Sequence, residues 1–223
     1  MDLSKSYEFF QPEMCQERIH IIGCGSVGYT VVELLARFGL TKFSLYDFDK
    51  VEKHNLANQM FVTDDIGKLK VDAVANHLIA INPDIKENLK IFNEGWHGQK
   101  LSGYVFLCVD NIDLRRKIAT ENKLNNFIKG MFDFRTRLVD AQHYAADWSN
   151  NTHKEYFIGT MNFSHKEAEE ATPMSACHVA LSVAPTVRII SAAGVMNFIN
   201  FVKDKKIKQT VIVNIDNLTL DAF

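Results

Sequence analysis

"IHIIGCGSVGYTVVELLARFGLTKFSLYDFDKVEKHNLANQ", residues 19–59, decides the fold. "RIHIIG" is β-branched and apolar, the segment from about Val27 to Phe38 has a helical period, and "KFSLYDF" returns to strand character. Gly23, Gly25 and Gly28 form G-x-G-x-x-G at the first strand-to-helix junction. There the turn can be tight and the backbone can approach a phosphate at the helix N-terminus. Asp47 stands 19 residues beyond Gly28, at the end of the second strand, where a carboxylate accepts hydrogen bonds from ribose hydroxyls. These residues indicate an adenosine-containing ligand. NAD and ATP fit them equally, and glycines that serve only helix–strand packing remain an alternative.

The same alternation continues outward. A helix is expected from about Lys68 to Ile81, stopped by Asn82-Pro83, followed by strands at "NLKIF" and "YVFLCV", a helix from about Asp113 to Asn125 and a strand at "FIKGMF". Strand and helix in turn predict parallel strands joined by right-handed crossovers: a Rossmann-like, doubly wound α/β fold with a mainly parallel sheet. After about Arg135 the pattern changes. "TRLVDAQHYA" and "KEYFIGTMNF" have strand character with no helix between them, which predicts antiparallel strands added in the C-terminal part. "ADWSNNTHKE" is the expected loop, a long helix runs from about Val179 to Lys203, and "KQTVIVNID" closes the chain. Residues 1–223 are expected to form a single domain, a size one core can serve.

Composition narrows the function. A net charge of −2 gives no broad electrostatic reason for a nucleic-acid partner. The start of the chain lacks the cationic head and apolar run of a secretory signal, so a cytoplasmic location is expected. The longest apolar region carries Arg188, Asn197 and Asn200, which are costly in lipid, and no membrane span is expected. Cys15, Cys24, Cys108 and Cys177 include no C-x-x-C pair, so neither a disulfide framework nor a thiolate zinc site has its spacing. Cys24 and Cys108 belong with the core. The histidines show no metal-ligand spacing, and Trp96 and Trp148 read as core or interface anchors, with "NEGWHGQK" a candidate loop over the site.

A dehydrogenase has no particular need for "DFDKVEKHNLANQ", with two carboxylates two apart and an Asn-Leu-x-x-Gln after them. Here the chain resembles the ubiquitin-activating and MoeB/ThiF-type adenylyltransferase family, whose signature reads approximately D-x-D-x-V-x-x-x-N-L-x-R-Q. Asp47, Asp49, Val51, Asn55, Leu56 and Gln59 match it; Gly67 and Lys70 in "DIGKLKVDAV", the "INP", and Asp110, Asn111 and Arg115 in "CVDNIDLRR" follow in order. The resemblance spans about residues 17–135 and extends weakly to about 200.

The resemblance implies attack of a carrier protein's C-terminal carboxylate on the α-phosphate of MgATP, giving an acyl-adenylate and pyrophosphate. The carrier would be a ubiquitin-like or sulfur-carrier protein with a flexible tail, and the enzyme a homodimer. Charge develops on the α-phosphate, so cations and positioning would carry catalysis. By the resemblance Lys70 supplies a fixed positive charge, Asp110 holds Mg²⁺, and Asn55 bonds the triphosphate or ribose. Gly23, Gly25, Gly28, Asp47, Asp49 and Gln59 complete the nucleotide site, and no zinc is expected. Taken singly, Lys70 could be a solvated helix lysine, Asp110 a helix N-cap and Asn55 a turn residue. Cys177, expected near the start of the long helix, matches the place where family members accept the activated carrier covalently, or is a small apolar residue; its neighbour His178 reads as a surface or capping residue.

The match breaks at Asn58, where the family usually has arginine, and residues 1–16 contain Lys5 but no arginine. The missing cation is expected from Lys53, Arg115, Arg116 or a partner. Three alternatives stand beside the carrier-activating reading: adenylation of another carboxylate, on a tRNA or a peptide; a non-catalytic ATP-binding subunit; and an NAD-dependent oxidoreductase.

Overall fold

The computed structural model describes residues 1–170, 172–173 and 181–223. Four parallel strands begin the sheet: β1 (Ile19–Ile22), β2 (Phe43–Tyr46), β3 (Lys90–Phe92) and β4 (Gly103–Leu107). β5 (Ile128–Thr136) is the fifth parallel strand, and β6 (Asp140–Asp147), β7 (Thr210–Asn214) and β8 (Thr219–Ala222) continue from it antiparallel. The order across the eight strands is β3-β2-β1-β4-β5-β6-β7-β8. The chain leaves β1 toward β2 on one side and returns to β4 on the other. The β1/β4 junction is therefore the topological switch point, where open α/β sheets leave a crevice at the carboxyl ends of their strands.

Helices cover both faces, as the expected doubly wound architecture requires. α1 (Ser26–Arg37), α2 (Lys70–Ile81) and α6 (Ala184–Asp204) pack on one face around Ile21, Leu45, Phe106, Phe132 and Phe134. α3 (Ile112–Glu121) and α4 (Asn151–Gly159) lie on the other with Ile22, Tyr46, Val105, Leu107 and Met131. Successive strand residues alternate between the two cores, which is why β1, β2 and β4 are buried throughout. Each wholly buried phenylalanine here contributes about 1.5–3 kcal/mol of apolar burial. A short helix, α5 (His165–Glu170), follows α4. By length and composition α6 could cross a membrane, but most of it is buried in this core.

The second half departs from the expected pattern in three places. "KEYFIGTMNF" is largely helix α4 rather than a strand. Asn150 starts it, its side-chain oxygen accepting the N–H groups of Thr152 at 2.9 Å and His153 at 3.3 Å. Lys154, Phe157 and Met161 recur at helical spacing and are buried. The expected loop "ADWSNNTHKE" shrinks accordingly: β6 runs through Asp147, and only residues 148–150 separate it from α4. β8 was not expected, because "TLDA" pairs as an edge strand through backbone hydrogen bonds and carries little burial of its own. The long helix begins at Ala184 rather than about Val179, with Pro185 in its first turn; residues 179–180 lie outside the described residues.

Candidate functional site

The three glycines of the first loop have different jobs. Gly23 has φ +96°, and a Cβ there would lie 2.7 Å from the Cys108 carbonyl and the Val109 nitrogen. At Gly28 a Cβ would meet the Gly23 carbonyl oxygen at 1.9 Å. Both are demanded by packing of the loop against β4 and against itself. Gly25 is different. A Cβ there would meet nothing closer than Gln59 Oε1 at 4.0 Å, so the chain itself gives no reason to exclude a side chain at the N-cap of α1. The free space lies where a phosphate would approach the helix N-terminus. Gln59 Oε1, beside it, is buried without a hydrogen-bond partner, an acceptor facing a polar group that the chain does not supply.

Asp47 leaves the end of β2 and holds this loop. Oδ2 accepts the Cys24 N–H at 2.7 Å, and Oδ1 accepts the Asp49 N–H at 2.9 Å. Burial pushes its carboxyl above the ordinary range, opposed by those two N–H groups and by Lys70. Asp49 in turn receives Lys70 Nζ at 2.7 Å. Backbone bonds zip the two segments together: Lys70 N–H to the Asp49 carbonyl, and Val51 N–H to the Lys68 carbonyl, each at 2.9 Å. Lys70 is the first residue of α2 and its side chain is only 10% exposed. A cation at a helix N-terminus opposes the helix dipole, and the ion pair with Asp49 offsets that cost. It is not a solvated helix lysine.

Asn55 and Gln59 belong to a 3-10 turn, Lys53–Ala57, and its exit. Asn55 is buried, and its Oδ1 accepts the Glu52 N–H at 2.8 Å. Its carbonyl side thus shapes the turn, as the turn-residue alternative supposed, while its amide N–H groups are not engaged in that bond. Asn58 sits at the end of the turn, partly exposed.

Asp110 lies exposed in the loop between β4 and α3, at the carboxyl edge of the sheet. It is not the N-cap of α3. Asn111 fills that position, its Oδ1 accepting the Leu114 N–H at 2.9 Å. The loop is fixed from below by Arg115, which donates to the Val109 and Phe134 carbonyls and to Asp133 Oδ1, the last at 2.6 Å. Asp133 is fully buried and also receives Arg135 Nε at 2.7 Å. Arg135 bonds Thr160 and lies 4.4 Å over the ring of Tyr144. This Arg115–Asp133–Arg135 network was not expected from the sequence as a unit. Its signal is a carboxylate flanked by Phe132 and Phe134 in a buried strand, a charge that must be paired.

The cations expected to replace the missing arginine fare unequally. Arg115 is committed to that network, and Arg116 donates to the Met161 and Phe163 carbonyls at 2.9 and 3.0 Å and pairs with Asp113. Lys53 is exposed on the 3-10 turn. Cys177 and His178 lie outside the described residues. Cys24 is buried after β1, and burial raises its thiol and that of Cys108 far above the ordinary range, which leaves both unreactive. Trp96 is a core residue, donating Nε1–H to the Gln99 carbonyl at 3.0 Å; of its loop, Gly95 lies where an added Cβ would stand 3.3 Å from the ring of the exposed Phe48, the residue after Asp47. Among the described residues, no three His, Cys, Asp or Glu side chains cluster to hold a metal by themselves. Asp110 alone fits a Mg²⁺ that takes its other oxygens from phosphates and water.

Comparison with known proteins gives the family. The ThiF family matches residues 4–223. The chain belongs to the ThiF family. Among curated proteins, ubiquitin-like modifier-activating enzyme 5 of Drosophila virilis is 31% identical over 150 residues, covering 59% of this chain and 36% of that protein. The Culex quinquefasciatus enzyme of the same name is 33% identical over 150 residues, covering 59% and 37%. The chain therefore spans a little over a third of the length of these relatives. Among solved structures, PaaA superposes with a TM-score of 0.70 at 18% identity, covering 95% of this chain and 65% of that one. E. coli MccB crystallised with ATP gives 0.70 at 16% identity, covering 96% and 65%. MccB with AMPCPP and MccA gives 0.70 at 17%, covering 95% and 65%. At these identities the likeness shows a shared ThiF fold.

Proposed function

We propose that this chain binds ATP in the crevice between β1 and β4 and adenylates the C-terminal carboxylate of a ubiquitin-like, sulfur-carrier or peptide substrate. The observation that carries the reading is the Asp47–Asp49–Lys70 constellation. One loop ties the glycine turn to a buried, ion-paired lysine at the same edge of the sheet, an arrangement suited to triphosphate chemistry and without a task in hydride transfer. In the reaction a carboxylate oxygen would attack the α-phosphorus, the bond to the bridging oxygen of the β-phosphate would break, and pyrophosphate would leave with the electron pair. Lys70 would sit where charge grows, and its pairing with Asp49 keeps it from having to reorganise as the reaction proceeds. Gly25 and the N-terminus of α1 would receive phosphate, Asp47 would keep the glycine loop in shape and face the ribose, and Gln59 and Asn55 would supply polar contacts. Asp110 would hold Mg²⁺, which when bound would neutralise phosphate charge.

The names of the relatives support the substrate class: the curated ones are modifier-activating enzymes, and the MccB structures include one with MccA. Transfer to Cys177 and assembly as a homodimer are further parts of the proposal, resting on the resemblance read from the sequence. Asn58 favours a second reading, a subunit that binds ATP without catalysis. Carrier-dependent exchange of pyrophosphate into ATP separates the two. The enzyme reading expects exchange with a carrier or peptide ending in a free carboxylate, and its loss in Lys70→Ala and Asp110→Ala variants that still melt cooperatively. ATP binding without exchange for any such substrate would leave the non-catalytic subunit.

A further inference from the structure

Among the described residues, Arg188 is the one arginine that hydrogen-bonds to the first two turns of α1. It lies in the second turn of α6, half-buried, and its Nη1 donates to Thr30 Oγ1. Thr30 Oγ1 donates onward to the Ser26 carbonyl, in the first turn of α1, at 2.8 Å. Among the described residues this is the only hydrogen bond Arg188 makes, and no carboxylate lies within ion-pair distance of it; Glu33, three residues on from Thr30 in α1, is paired with Arg37. A cation near the start of a helix is opposed by that helix's dipole. Arg188 stands there without a carboxylate partner to offset the cost.

The starts of α1 and α6 share the carboxyl edge of the sheet. α1 follows β1 directly, and Thr186, two residues before Arg188, bonds the Leu138 carbonyl just beyond the end of β5 at 2.7 Å. Thr30 is four residues past Ser26, roughly 6 Å along the helix axis, a distance a guanidinium covers by rotating its own side chain. Arg115 and Arg116 are held elsewhere, as described above, and Asn58 carries no charge.

We infer that Arg188 supplies the phosphate-binding cation that Asn58 lacks, leaving Thr30 to reach the β- and γ-phosphates of ATP from α6. The inference rests on the nucleotide reading above and assigns to it a residue outside the family's usual position. Arginine suits the role because its planar fork binds phosphate oxygens two at a time and its charge does not titrate. On this view the side chain has two positions: parked on Thr30 without nucleotide, and on the phosphates with it.

The test is calorimetric binding of MgATP and of AMP to the whole chain and to the variants Arg188→Met, Arg188→Lys and Thr30→Val, with thermal melting of each. Methionine keeps the length of the apolar stem. Arg188→Met should weaken ATP by about tenfold to a hundredfold, the range for one charge-assisted hydrogen bond, and change AMP by less than about threefold. Arg188→Lys should recover part of the loss, Asn58→Arg added to Arg188→Met should recover more, and Thr30→Val should keep full ATP affinity. Unchanged ATP affinity in Arg188→Met would overturn the inference. So would equal losses for ATP and AMP, or the same ATP loss in Thr30→Val, since either would make the contact with α1, not the phosphate, the role of Arg188. If the unaltered chain binds neither nucleotide, the nucleotide reading itself fails and takes this inference with it.

Discussion

Alanine at Gly25 and alanine at Gly28 should do opposite things, although the two glycines belong to one motif. At Gly28 the new Cβ would lie 1.9 Å from the Gly23 carbonyl oxygen and 3.2 Å from Cys108 Cβ. The first contact is with backbone, so α1 or the glycine turn must move. Overpacking of this kind costs about 1–3 kcal/mol where side chains can yield, and a backbone obstacle puts Gly28→Ala at about 3 kcal/mol or more. The usual gain of about 1 kcal/mol from replacing a helical glycine is too small to offset it. At Gly25 the backbone has φ −79°, and the space is open to Gln59 at 4.0 Å. Gly25→Ala therefore costs only a weaker N-cap, a few tenths to about 1 kcal/mol, offset by about 0.4–1 kcal/mol from the stiffer unfolded chain. In a chain of this size 1 kcal/mol moves the melting temperature by about 2–4 °C. Thermal melting should accordingly show Gly25→Ala within a few degrees of the parent and Gly28→Ala lower by roughly 6–12 °C. Calorimetry on the folded Gly25→Ala protein should show ATP affinity reduced by about tenfold or more, because the methyl occupies the approach to the N–H groups of α1. Gly25→Ala protein that binds ATP like the parent, or that melts as low as Gly28→Ala, would refute the division of labour between these glycines.

Asp133→Ala strands two arginines at a fully buried position, and urea denaturation should show a loss of about 3–5 kcal/mol; a loss under about 1 kcal/mol would mean that the network is wet and dispensable. Burial holds His20 and His143 at about 4, below the ordinary 6.5. Both are neutral in the fold and protonate first in the unfolded chain, so their stability is fully present above pH 6.5 and is lost as pH falls toward 4, by on the order of 3 kcal/mol each. Replacing His143 with Gln should flatten that part of the stability curve measured by denaturant titration, and an unchanged slope would contradict its neutral state. Asn58→Arg should raise pyrophosphate exchange only modestly while Arg188 is present, and by a larger factor in the Arg188→Met background; equal factors in both would show that the two positions do not serve the same phosphates.

The opening stretch determined the fold because its information is local. A β-branched apolar run in "RIHIIG", a helical period from about Val27 and glycines at the junction are each fixed by the backbone conformation of a few neighbouring residues. Asp47 was legible from its place at the end of the second strand, and Asp49 and Lys70 from the family resemblance; the three meet because a doubly wound sheet sends strand ends and helix starts to one edge. "KEYFIGTMNF" was misread because a short apolar run suits either period, and only packing of Phe157 and Met161 against Trp148 and the sheet, with Asn150 as cap, selects the helix. β8 was invisible since an edge strand is defined by its partner's backbone and not by its own burial. Which of Asp110 and Asn111 caps α3, which glycine faces open space, and which arginines are free to meet a phosphate depend on atoms far apart in the chain. Arg115 lies 18 residues from Asp133, and Arg188 lies 158 residues from Thr30. A side chain's reach is set by what already holds it, and those holders are assembled only by the tertiary structure.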